Sequence, residues 1–148
     1  MNDTGLWSDD IEMTPADEEA WCSAQREETV KYLHGEGVRH GEVGEWPAWC
    51  IPPHVSLWAV ESLVRPGWIG WWVIVSDLLC DYCTAVQPAH PRKAVDHFSR
   101  TWRQAARAHN PGGEQFEDLG LPAHLAPFLE QRADILETWA ADERMWRF

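Results

Sequence analysis

The feature that most constrains this chain is an apolar run of eight residues, Trp68 to Val75, closed by Asp77. A membrane span needs roughly 20 such residues, so the run cannot cross a bilayer. It lacks the in-out alternation of a half-exposed strand, and a strand of this kind is central in its sheet or covered on both sides. Arg65-Pro66-Gly67 precedes it as a turn signal. Before the turn, Val55 to Val64 alternates loosely and is rich in Val, Leu and Trp. The spacing predicts a central antiparallel hairpin over about residues 55–75.

Helices flank it. Thr14-Pro15-Ala16-Asp17 reads as a helix start, with a hydroxyl cap, proline at the first position and acids in the first turn. That helix is expected to run to about His34, stopped by Gly35 and Gly37, with a broad face of Trp21, Cys22, Val30, Tyr32 and Leu33. Residues 35–53 read as a long Gly- and Pro-rich connection. The clearest helix covers Pro91 to His109. At 100° per residue, Ala94, Val95, Phe98, Trp102, Ala105 and His109 share one side, while Arg92, Arg100, Arg103 and Arg107 share the other, a basic solvent face. Asn110-Pro111-Gly112-Gly113 stops it. A last helix over about Pro122 to Asp142 carries Leu125, Phe128, Leu129, Leu136 and Trp139 at helical spacing, and Pro127 could break off a short first piece. The fold class expected is α+β, a small antiparallel sheet packed by an N-terminal helix and two C-terminal helices. Residues 1–13 read as a flexible acidic tail and 14–148 as a single domain.

Charge and aromatic content narrow the partners. The chain of 148 residues carries a formal net charge of −12. A surface of that sign disfavours nucleic acid and anionic membrane. The charge is uneven: residues 1–36 hold ten acids against Arg26 and Lys31, whereas residues 92–107 hold five bases against Asp96. The two segments could attract one another within the fold or be solvated independently. Eleven tryptophans exclude a wholly disordered chain. Trp58, Trp71 or Trp72, Trp102 and Trp139 fall in expected elements and read as core. Trp46 and Trp49 lie in the Pro-rich connection, with Trp7 in the tail and Trp146 near the C-terminal end, where tryptophan suits a partner surface.

Motifs for chemistry are sparse. Cys80-Asp81-Tyr82-Cys83 is a C-x-x-C that, with Cys50 and His54, offers a four-ligand zinc site; as a dithiol it offers redox chemistry. Against both stand the C-x-x-x-H spacing of the second half and the two prolines inside it, and four unconnected thiols are the simpler expectation. Asp77 and Asp81 follow the second strand, where carboxylates serve as acid/base groups or, more commonly, bond turn amides. His97 flanks the clean helix and could face a cleft. The leader of the sequence has neither a basic region nor an apolar core, so a cytoplasmic location with reduced thiols is expected.

The middle of the chain resembles a bacterial family catalogued as domain of unknown function 4826. The resemblance is carried by Trp72-Val73-Ile74, Asp77-Leu78 and Asp81, then Ala94, His97-Phe98-Ser99 and Trp102, and last Arg132-Ala133, Asp142-Glu143 and Trp146. It departs at Leu79-Cys80 and Tyr82-Cys83, so neither cysteine of the C-x-x-C belongs to the family pattern. The resemblance implies an N-terminal helix, a small sheet and C-terminal helices, and no activity.

These observations favour a protein-binding protein, such as an immunity protein neutralising a bacterial toxin with a basic surface. Its candidate contact residues are Asp17, Glu18, Glu19, Trp46, Trp49, Asp77, Asp81 and His97, with no cofactor. The alternative is an enzyme, metal-dependent or otherwise, centred on Asp77, Asp81 and His97. A nucleic-acid mimic ranks last, because the acids crowd into one end and the basic helix interrupts them.

Overall fold

The computed structural model describes residues 12–108 and 121–146. Trp7, His109, the Asn110–Gly113 stop and all but the end of the 1–13 tail lie outside them. The described residues fall into two compact units, 12–91 and 92–146.

The first unit is a helix and a sheet. Helix α1 spans Pro15–Gly35, and the Thr14 hydroxyl accepts the Asp17 amide at 3.0 Å, the expected cap. Gly37 follows at φ 71°, and the Gly37 and Val38 amides close the helix on the His34 and Leu33 carbonyls. Of the expected apolar face, Cys22 and Leu33 are buried and Val30 is exposed. Polar residues complete the inward side: Thr29 is buried, and Gln25 and Arg26 are half-buried.

Four strands make one antiparallel sheet in the order β1-β2-β3-β4: Trp49–Ile51, Val55–Glu61, Ile69–Ser76 and Cys80–Thr84. β2 and β3 are the predicted hairpin and occupy the centre. Gly67, at φ 86°, makes the turn possible, and the Glu61 carboxylate accepts its amide at 2.8 Å. Two strands escaped prediction. β1 lies inside the stretch expected to be connection, and Val43 adds a further bridge to Val60. β4 holds the C-x-x-C, for which the sequence suggested no strand. At three residues β1 is too short for alternation to show, and the five residues of β4, Cys-Asp-Tyr-Cys-Thr, do not alternate in polarity.

Side chains of a strand alternate between faces, and the register assigns them. Ser56, Trp58, Val60, Val73, Val75, Cys80 and Tyr82 share the face on which Leu33 of α1 packs, in one cluster with Val43. A buried polar chain links helix to sheet there: the Trp58 indole donates to Ser56 Oγ at 2.8 Å, and that hydroxyl donates to Gln25 Oε1 at 2.9 Å. On the opposite face Val55, Leu57 and Ile74 are fully buried, and Trp49 and Trp72 nearly so. Burial of both faces is what the unbroken apolar run required.

The second unit is helical. In α2, Pro91–Arg107, the stripe Ala94, Val95, Phe98, Trp102 and Ala105 is buried as predicted. A 3-10 turn, Ala123–Leu125, precedes α3, Ala126–Ala141, and is the short first piece expected near Pro127. Leu129, Leu136 and Trp139 of α3 are buried, but Phe128 of the expected apolar set is 43% exposed. Arg132 and Ala133 take up the buried side instead.

The arginines of α2 do not form an open basic face. Arg103 forks onto Asp134 at 2.7 Å and Glu137 at 3.0 Å of α3, and Arg107 meets Glu130 at 2.7 Å. Arg92 pairs with Glu143 at 3.1 Å, and Arg100 with Asp96 one turn earlier at 2.9 Å. These bases therefore meet acids of their own unit, a pairing that sequence position alone did not suggest. Trp146, expected at an exposed end, is buried within a last 3-10 turn, Glu143–Trp146, and donates its indole N–H to the Trp139 carbonyl at 2.9 Å.

Candidate functional site: a groove at the start of the first helix

Several predicted contact residues converge in the first unit. The Thr14 cap and Pro15 fix the first turn of α1, which places Asp17, Glu18 and Glu19 in solvent. Carboxylates there also complement the positive end of the helix dipole, which alone would account for their presence. The connection returning toward β1 is fastened beside this turn. The Arg26 guanidinium donates to the Val43 and Gly44 carbonyls at 2.8 and 2.9 Å, while the Gly44 and Ala48 amides bond to β2. Trp46 is thereby held next to α1 with 64% of its surface exposed.

Between helix and connection lies an open groove of about 490 Å³. Met13, Pro15, Trp46 and Pro47 make its apolar walls, Glu18 and Glu19 supply two carboxylates, and Cys22 and Cys50 line it as well. The two thiols lie close enough to perturb one another. Burial raises the pKa of both, the Glu18 charge raises it further, and Cys50 is pushed up to about 12. At neutral pH these groups are protonated and are poor nucleophiles and poor metal ligands.

The other predicted residues lie elsewhere. Trp49, expected at a contact surface, is only 6% exposed, because β1 pairs with β2 and turns its side chain, like that of Leu57, inward. Asp77 is exposed in the turn between β3 and β4. The amides of that turn are served by Ser76, whose Oγ accepts those of Leu78 and Leu79 at 3.2 and 3.1 Å. Asp81 is not a turn residue; it lies within β4, where its carboxylate accepts the Tyr82 amide at 2.8 Å. His97 lies on α2 in the second unit, its ring edge-on to Phe98 with centroids 5.5 Å apart. Asp77, Asp81 and His97 thus sit on three separate elements distributed over both units.

The four-ligand zinc arrangement is not assembled. Cys50 lies on β1 and Cys80 and Cys83 on β4, at opposite edges of the sheet, and two residues three apart on a strand point to opposite faces. Burial also holds the Cys80 thiol at about 11 and that of Cys83 at about 12. His54 belongs to the turn between β1 and β2, its amide bonded to the Ile51 carbonyl at 2.8 Å. Among the described residues no group of three or more His, Cys, Asp or Glu is placed to hold a metal ion.

Met13, Pro15, Cys22 and Pro47 were not singled out from the sequence. Only the fold brings positions 13–22 against 46–50, and no local pattern signals that meeting. A second cleft, about 580 Å³, opens beside the β2–β3 turn between Trp68 and Gln87-Pro88. Arg65 covers the Trp68 ring there at 4.3 Å from its centroid.

The fold is thus that of an α+β protein whose helix and sheet frame a groove with apolar walls and two carboxylates. The chain belongs to the family described as Domain of unknown function (DUF4826), whose model matches residues 15–146 and so takes in both units. No curated protein and no solved structure matches the chain.

Proposed function

We propose that this is a protein-binding protein that engages a basic surface of another protein through the start of α1 and Trp46. The observation that carries the reading is the groove itself: exposed carboxylates and an exposed indole on one hydrogen-bonded frame, with protonated thiols that offer no reaction. Complementary charge of this kind speeds encounter and selects the partner. Neutralisation of a toxin, in the manner of an immunity protein, is the specific role that fits a small chain with a formal charge of −12. The reading places the protein in the cytoplasm, in keeping with cysteines that are all free. Among the described residues, no helix is long and apolar enough to cross a membrane.

The test is co-purification from cells at low and physiological salt, with the wild type and an Asp17→Asn, Glu18→Gln, Glu19→Gln variant. A specific protein retained by the wild type, weakened by salt and lost from the variant is expected. Recovery of the wild type alone at both salts would sink the reading.

A further inference from the structure

Resting on that reading, we propose that the groove beside Trp46 is a receptacle for a single arginine side chain of the partner. Three features of the groove point to this occupant. Its walls, Met13, Pro15, Trp46 and Pro47, are apolar and suit the aliphatic stem of a long side chain. The 64% exposed indole offers a face on which a planar cation stacks. Glu18 and Glu19 reach the same space, and among the described residues neither is paired with a base.

The protein uses each half of this chemistry on its own arginines. Arg65 stacks over Trp68 at 4.3 Å, and Arg103 forks onto two carboxylates of α3. The groove presents both halves together with no base of its own. A volume of about 490 Å³ accommodates one extended side chain and its backbone. Guanidinium is preferred over ammonium because it is planar, stacks on indole and donates in a fork, and because it is the less strongly hydrated cation.

The experiment needs no partner. The indole N–H resonance of Trp46, assigned by its loss in Trp46→Phe, is followed by NMR while the full chain is titrated with N-acetyl-arginine methylamide. Matched titrations use the blocked citrulline compound, which keeps the shape without the charge, and the blocked lysine compound. A saturating shift with arginine is expected, at least tenfold weaker with citrulline and clearly weaker with lysine. It should weaken at least threefold in Glu18→Gln, Glu19→Gln, whose fold is checked by far-UV circular dichroism. Equal responses to arginine and citrulline, or an arginine response unchanged by the double substitution, would overturn the receptacle. A lysine response as strong as that of arginine would overturn the arginine assignment. A partner captured through α1 but indifferent to Trp46→Ala would also sink the receptacle while leaving the binding function standing. Failure of any capture would do the reverse.

Discussion

Substitution Ser56→Ala probes the joint on which the groove depends. Ser56 and Trp58 are both fully buried, and the single hydroxyl accepts from the indole N–H and donates to Gln25 Oε1. Removing Oγ strands the indole N–H where water has no access, at about 1–3 kcal/mol, and removes the bond to Gln25, at about 0.5–1.5 kcal/mol. The expected loss is about 3 kcal/mol. At about 3–4 °C per kcal/mol for a chain of this length, the melting temperature should fall by about 10 °C. Gln25→Ala is the informative control. It leaves the indole bonded to Ser56, and the half-buried position admits water, so it should cost no more than about 1.5 kcal/mol. Urea unfolding followed by far-UV circular dichroism measures both, and thermal melts give the temperatures. The chain Gln25–Ser56–Trp58 is also what sets α1 against β2, so Ser56→Ala should broaden the Trp46 indole resonance even where the protein stays folded. A loss below about 0.5 kcal/mol, within the scatter of ordinary surface changes, or equal losses for the two variants, would refute the reasoning. The first result would mean that the helix is held by apolar packing alone, the second that the indole N–H is not stranded by loss of the hydroxyl.

Trp49→Ala should destabilise by about 3–5 kcal/mol, as removal of a buried tryptophan does, whereas Trp46→Ala should stay within about 0.5 kcal/mol of the wild type; denaturant unfolding of the two separates core from surface. Arg103→Met removes a fork onto Asp134 and Glu137 whose carboxylates are well exposed, so the loss should be modest, about 1 kcal/mol, and should shrink in 1 M salt. The thiols raised by burial, Cys50 and Cys83 to about 12 and Cys80 to about 11, should alkylate slowly with iodoacetamide at pH 7.5 and speed up as the pH rises. Their linkage to stability has a definite sign: the unfolded thiols ionise first, so stability is full below about pH 8 and falls as the pH climbs from the ordinary thiol range toward 12. Melts between pH 7 and 10.5 check this, and Cys50→Ala, Cys80→Ala, Cys83→Ala should flatten the decline.

What the sequence disclosed, and what it hid, follows from the range over which each signal acts. The Thr14-Pro15 cap, the β2–β3 turn and the stripe of α2 are local patterns, and each stands where the residues predicted it. β1 was hidden because three residues are too few for alternation to show and its neighbours are Pro-rich, and β4 because its five residues do not alternate in polarity. Trp49 was misplaced for the same reason: once β1 was read as connection, its tryptophan had no strand to turn it inward. The basic face of α2 was legible as a pattern but not as a structure: apart from Asp96, one turn before Arg100, its neutralising acids stand some 23 to 51 residues further along the chain. The candidate site was half legible. Glu18, Glu19 and Trp46 could be named, but their meeting is made by Arg26, which appears in the sequence only as one of two bases in an acidic stretch.

That pairing of arginines changes the meaning of the chain's acidity. Residues 92–108 and 121–146 hold seven bases and six acids, so the helical unit is close to neutral and its charges are largely matched side by side. Residues 12–91 hold twelve acids and four bases, an excess of eight negative charges. Arg26 is turned inward to the Val43 and Gly44 carbonyls and Arg65 stacks on Trp68, so neither is ion-paired with the carboxylates of α1. A charge excess needed only for solubility would work as well spread over both units. Among the described residues its confinement to the unit that carries the groove gives that unit the stronger pull on a basic partner, because long-range attraction acts before any contact is made.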